Sequence, residues 1–243
     1  MTNRVALVTG GSRGIGAAVA RRLAADGFDV AITFASAAGR AAEVAGEIEA
    51  AGRRGLAMRS EAADPEATVA AVERTVAELG RLDVVVGNAG IAPYGPLEEV
   101  TPEEVDRLLA VHVRASFVLA QTAARHMGAG GRIVLIGSSL IDRVPYPGWT
   151  AYAMSKSALT GLTRGLAREL GPRGITANLV NPGSTDTEMN PADGPEAEAE
   201  RRFIPLERYC SPEEVAATVA HLAGEGGAVI TGAFIAVDGG VTA

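Results

Sequence analysis

The apolar residues of this chain fall in short unbroken runs, each separated from the next by a stretch long enough for a helix. The runs are "RVALVT" (4–9), "DVAITF" (29–34), "RGLAMRS" (54–60), "RLDVVVGNAG" (81–90), "GRIVLIGSS" (131–139), "GITANLVNPG" (174–183) and "GAFIAVDGG" (232–240). A strand that is apolar throughout has both faces covered, which is the habit of parallel sheets flanked by helices. Parallel neighbours also need long crossovers, and the gaps here supply them. The expected fold class is α/β: one doubly wound parallel sheet of seven strands with helices on both faces. No Pro/Gly linker divides the chain, so residues 1–243 read as one domain, and 47% hydrophobic residues suffice for its core.

Helix starts are marked locally. "TPEE" (101–104) and "SPEE" (211–214) each place a hydroxyl cap, a proline at the first helical position and a glutamate at the third, and "DPE" (64–66) is a weaker version. The longest irregular stretch, 184–208, is acidic and contains proline, and a long insert there reads as a lid over a site.

Several function classes are set aside. The net charge is -7 and no basic stripe is visible, which argues against nucleic acid as a partner. No run approaches the roughly 20 apolar residues of a membrane span. "MTNR" leads directly into the first strand, so an export signal is not expected. Cys210 is the only cysteine, which excludes an internal disulfide and a cysteine metal cluster, and no metal is expected. A cytoplasmic address fits these features.

The turn after the first strand, "TGGSRGIG" (9–16), carries Gly10, Gly14 and Gly16. Glycines permit a tight turn and close approach of backbone to a ligand, and the free N–H groups of the following helix favour an anion such as a pyrophosphate. In sheets of this kind ligands bind beyond the carboxyl ends of the strands. A dinucleotide site selective for NAD places an acid near the end of the second strand, where Phe34 stands here. Arg13 and Ser36, with Arg40 nearby, are suited to a 2′-phosphate, so the expected cofactor is NADP(H).

Taken together, "TGGSRGIG", "NAG" (88–90), Ser139, the Y-x-x-x-K pair Tyr152 and Lys156, "NPG" (181–183) and "VDGG" (237–240) resemble the short-chain dehydrogenase/reductase family, in particular its 3-oxoacyl-[acyl-carrier-protein] reductase-like group. The resemblance covers essentially the whole chain and implies a Rossmann-type sheet of order 3-2-1-4-5-6-7. It implies that Ser12, Arg13 and Ile15 line the adenosine and phosphate end, that Glu61 and Ala62 meet the adenine, and that Asn88, Ala89 and Gly90 pass under the ribose. Pro182, Gly183 and Thr185 would flank the nicotinamide, with Thr187 on its carboxamide or the phosphates. A homotetramer or homodimer is implied as well.

Reducing a ketone requires a hydride at carbon and a proton at oxygen. Tyrosine is a poor acid unaided, with a reference pKa of about 10, and a neighbouring cation lowers it. On a helix, positions i and i+4 lie about 40° apart and about 6 Å along the axis, so Tyr152 and Lys156 share a face. Tyr152 is the expected proton donor, Lys156 its cation and ribose anchor, and Ser139 a hydroxyl for the substrate carbonyl. The family usually adds an asparagine on the helix after the fourth strand, organising water near the lysine. His112 aligns there, and as a histidine it can donate, accept and titrate near neutral pH. Gly87 replaces the first asparagine of the usual "NNAG", and Glu61 a usual aspartate. Tyr94, Tyr146 and Trp149 are the expected walls of a substrate pocket, with Met189 and Phe203 of the 184–208 insert closing over it. The favoured reading is an NADPH-dependent carbonyl reductase acting on a small ketone, a 3-oxoacyl thioester or an aromatic or β-keto compound. An alcohol dehydrogenase working in the oxidising direction and a non-catalytic cofactor-sensing module remain as alternatives.

Overall fold

A computed structural model describes residues 3–243. Seven strands form one parallel sheet: β1 (Val5–Val8), β2 (Asp29–Phe34), β3 (Gly55–Arg59), β4 (Val84–Gly87), β5 (Arg132–Ile136), β6 (Thr176–Pro182) and β7 (Phe234–Val237). Their order is β3-β2-β1-β4-β5-β6-β7, as the resemblance implied. Every residue of β1, β4, β5 and β6 is buried, which is why those runs carried no polar alternation. The strands are shorter than the apolar runs because the run ends, such as Asn88–Gly90, leave the ladder as turns.

Alternate residues feed two cores. Ala6, Val8, Val84, Val86, Val134 and Ile136 pack towards helices α1 (Gly14–Ala25) and α8 (Pro212–Ala223). Val5, Leu7, Val85, Ile133, Leu135 and Leu179 pack on the other face, towards α3 (Pro65–Leu79), α5 (Ala115–His126) and α6 (Thr150–Leu170). Helix α2 (Ala38–Ala50) covers β2 and β3. Burial of one such aliphatic side chain contributes about 1.5–3 kcal/mol, against about 1 kcal/mol for a helix cap, so the two-sided core decides the topology and the caps set boundaries. The caps are present nonetheless: Thr101 and Ser211 form complete capping boxes with Glu104 and Glu214, and Asp64 accepts from the Glu66 N–H.

The crossover from β4 to β5 departs from a plain helix. Helix α4 (Pro102–Leu108) passes into a π-helical stretch, Leu109–Arg114, before α5 begins. This widened turn carries His112 inward, where it is buried. Residues 184–208 hold a short helix, α7 (Ala197–Arg201), and their Ala197 and Ile204 form a small satellite core with Tyr209 and Val241. Among the described residues, no helix is long and apolar enough to cross a membrane, and no cluster of His, Cys, Asp and Glu could hold a metal ion.

Candidate active site

The first turn is built for close approach. Gly10 and Gly14 adopt φ of +64° and +52°, the left-handed region that side chains resist. A Cβ on Gly16 would overlap the Gly10 carbonyl oxygen and lie 2.5 Å from Asn88 Nδ2. Thr187 lies over the same turn, its Cγ2 3.2 Å from where a Cβ on Gly14 would stand. Asn88 turns its amide into the turn, donating to the carbonyls of Thr9 (2.9 Å) and Gly10 (3.1 Å). Thr9, which the sequence did not single out, accepts from the N–H groups of Asn88 and Ala89 through Oγ1. Helix α1 starts at Gly14 with no side-chain cap from Arg13, so the N–H groups of its first turn stay available to an anion. These features fit a dinucleotide pyrophosphate. Gly16→Ala is expected to cost roughly 1–3 kcal/mol of stability by overpacking and to impair cofactor binding. Gly39→Ala, where a Cβ meets open space, serves as the control in a thermal melt and a cofactor titration.

The adenosine end is assembled from strand exits. Ala62 and Ala89 share a cleft with Thr33 and Ser60, while Glu61, Arg13 and Ser36 are exposed. No acid stands at the end of β2, where Phe34 is half-buried. Arg40 forms an ion pair with Glu188 at 2.6 Å, so its suitability for a 2′-phosphate comes at the expense of that pair. A Cβ on Gly87 would lie 2.8 Å from Leu135 Cδ2, so a larger residue there requires the Leu135 side chain to shift. Where the nicotinamide is expected, Pro182 closes β6, the Gly183 N–H donates to the Val237 carbonyl (3.0 Å), and Thr185 Oγ1 donates to the Gly183 carbonyl (2.9 Å).

Tyr152 and Lys156 lie one turn apart on α6, with the ammonium 5.9 Å from the phenol ring centroid. Lys156 is buried and donates to the Ile136 carbonyl at the end of β5 (2.9 Å). Burial pushes Lys156 down to about 8. Burial also pushes the Tyr152 phenol up to about 12, with a hydrogen bond to Ser138 acting in the opposite direction. In the chain by itself burial outweighs the Ser138 contribution, and the phenol is held above its ordinary value.

The serine at the phenol corrects the sequence reading. Ser138 is the serine whose side chain acts on the Tyr152 phenol, pulling it down against burial, whereas the expected residue was Ser139. Ser138 is the last extended residue beyond β5 (φ -165°, ψ 150°), and its Oγ accepts from the Leu140 N–H. Ser139 is the first residue of the 3-10 turn Ser139–Ile141, so it follows the turn instead of the strand. The signal in the sequence was a serine doublet, and its resolution depends on where the strand stops.

His112 has both ring nitrogens occupied. The Ile91 N–H donates to Nε2 (3.1 Å), and Nδ1 lies 2.8 Å from Ser155 Oγ. Burial, and then the Lys156 charge, push it down to about 3. Titration near neutral pH, expected from the sequence, is corrected by this burial.

Aromatic side chains cluster at Tyr152. Trp149 stands edge-on to Tyr152 (5.4 Å between centroids) and also meets Tyr94 (5.3 Å). Tyr146 meets Phe203 from the 184–208 segment at 5.7 Å. Met189, expected to close over the pocket with Phe203, is 59% exposed, and Phe203 is the one of the two that meets an aromatic ring. The segment is held by Glu200, which accepts from Ser184 Oγ (2.5 Å), Asn190 Nδ2 (3.0 Å) and Tyr209 Oη (2.7 Å). The sequence reading passed over these residues because a buried carboxylate looks like any other acid in a polar stretch.

Known proteins share this architecture. A family model described as enoyl-(acyl carrier protein) reductase matches residues 10–242. A short chain dehydrogenase from Burkholderia cenocepacia J2315, crystallised in complex with NADP, is 54% identical and superposes with a TM-score of 0.98, covering 99% of this chain and 98% of that one. The cyclic-di-GMP-binding biofilm dispersal mediator protein of Escherichia coli K12 is 43% identical over 98% of this chain and 97% of its own. Versicolorin reductase 1 of Aspergillus parasiticus is 38% identical over 99% of this chain and 97% of its own.

Proposed function

The chain belongs to the short-chain dehydrogenase/reductase family, and from that premise we propose that this NADP-dependent oxidoreductase is a carbonyl reductase that protonates its substrate from Tyr152. The observation that carries the reading is the placement of Tyr152 and the buried Lys156 one turn apart on α6, with the ammonium 5.9 Å from the phenol ring centroid. Bound NADPH supplies the hydride. The glycine turn and the first N–H groups of α1 hold the pyrophosphate, Arg13 and Ser36 the 2′-phosphate, and Lys156 the ribose beside the nicotinamide. Ser138 and Tyr152 hold the carbonyl oxygen. As that oxygen gains electron density, the Tyr152 proton passes to it, and the Lys156 charge stabilises the phenolate left behind.

Oxidation of an alcohol would use the same residues in reverse, with Tyr152 as the base. The rings of Tyr94 and Trp149 suit a free aromatic ketone. The 184–208 segment carries seven acidic against three basic residues, a charge that repels phosphate-bearing acyl carriers. The test is a panel of aromatic ketones, diketones, β-keto esters and a 3-oxoacyl thioester, with NADPH and NADH in parallel. Aromatic ketones with NADPH are expected to react fastest. Equal or better use of NADH, or a clear preference for the thioester, overturns this reading of the site. One relative is described as binding cyclic di-GMP, and a non-catalytic sensing role here corresponds to NADPH binding with no turnover of any ketone.

A further inference from the structure

We propose that His112 is a positioning residue, held as the neutral tautomer protonated at Nδ1, that couples the Gly90–Ile91 turn to Tyr152 through Ser155. The tautomer follows from donor arithmetic. A backbone N–H can only donate, so Nε2 accepts from Ile91 (3.1 Å), and the ring proton of a neutral imidazole stands on Nδ1. That proton is directed at Ser155 Oγ, 2.8 Å away. Ser155 in turn donates its own proton to the Tyr152 carbonyl at 2.7 Å. The chain of bonds runs one way, from the turn under the ribose to the backbone of the proton donor, and each donor in it is used.

The surroundings are shaped for this contact. The π-helical stretch Leu109–Arg114 carries residue 112 inward, and the Ser116 hydroxyl donates to the His112 carbonyl at 2.6 Å within that widened turn. Gly90 keeps the facing turn close, since a Cβ there would lie 3.2 Å from Nε2. The ring also stands edge-on to the Tyr152 ring, at 5.5 Å and 87°. His112 thus fixes Tyr152 twice, by ring contact and through Ser155. Protonating Nε2 would set a donor against the Ile91 N–H and a second cation near Lys156, the charged group that acts on the ring; Tyr152, also on α6, is the other titratable side chain facing it. The ring is therefore a neutral strut that carries no proton to or from the lysine. This separates the chain from the usual family arrangement, in which an asparagine organises water at that place.

The tautomer is read by nitrogen NMR of the wild-type protein with NADP+ bound. The expected spectrum shows His112 neutral, protonated at Nδ1 and unchanged from about pH 5 to 8. An Nε2-protonated ring, or a titration in that range, overturns the proposal. Its kinetic half rests on Tyr152 as proton donor and uses His112→Ala, Ser155→Ala and the double variant, with folding checked by thermal melts. Each single change is expected to lower kcat roughly 10- to 100-fold by misplacing the phenol, with cofactor Kd close to wild type. The double variant is expected to be no worse than the worse single one, because both break the same chain. His112→Asn, which keeps a donor near Nδ1, is expected to recover part of the rate. Multiplicative losses, full activity in Ser155→Ala, or no recovery with asparagine each contradict the strut. Failure of the proton-donor reading would appear separately, as an active Tyr152→Phe enzyme with the tautomer unchanged.

Discussion

Tyr152→Phe is expected to lower ketone turnover by roughly 10²- to 10⁴-fold, the span associated with a positioned general acid, while NADPH binds as in the wild type. The change removes one hydroxyl and keeps the ring. Its edge contacts with His112 and Trp149, at 5.5 and 5.4 Å, persist, so the fold and the cofactor end of the site should be undisturbed. What is lost is the proton. Burial pushes the phenol up to about 12, so the wild-type site holds the acid form throughout the neutral range. The sign of the pH dependence follows. The acid form is present below the phenol's pKa and disappears above it, so reduction should fall as the solution becomes strongly alkaline. Turnover numbers and a cofactor titration on the same preparation check both halves, and an unchanged kcat in Tyr152→Phe would remove Tyr152 from the chemistry.

Ser138→Ala is expected to lower turnover roughly 10²- to 10³-fold, as loss of a donor to a developing oxyanion does, whereas Ser139→Ala should retain most activity. The two serines are adjacent and both buried, so composition and burial do not separate them. Their backbones do. Ser138 is extended and acts on the phenol; Ser139 opens a 3-10 turn. Ser138→Ala also frees the Leu140 N–H that Ser138 Oγ now satisfies, at a stability cost of about 1 kcal/mol or more. A thermal melt measures that cost apart from the rate. The reverse ranking of the two variants would restore Ser139 as the substrate hydroxyl.

The sheet was legible because burial on both faces writes itself into unbroken runs. β5, with all five residues buried, could not have been disguised as an alternating strand. The caps of α4 and α8 were legible for the complementary reason that a capping box is local, closed within four residues. The glycine turn was legible because left-handed backbone at Gly10 and Gly14 demands glycine. The distinctions that escaped the sequence depend on where distant elements meet. Whether Ser138 or Ser139 faces the phenol turns on the last residue of a strand, a boundary that hydrophobicity does not mark. The state of His112 is set by Ile91 and Ser155, 21 and 43 residues away. The Arg40–Glu188 pair spans 148 residues, and nothing near either one announces it.

The most direct test of the central claim is a stoichiometric one. The purified protein is mixed with NADPH and an uncharged aromatic ketone at neutral pH, and cofactor consumption and product alcohol are measured in the same sample. One alcohol formed per NADPH consumed, at a rate that collapses in Tyr152→Phe, is the expected result. NADPH that binds tightly yet is consumed with no ketone in the panel would contradict it.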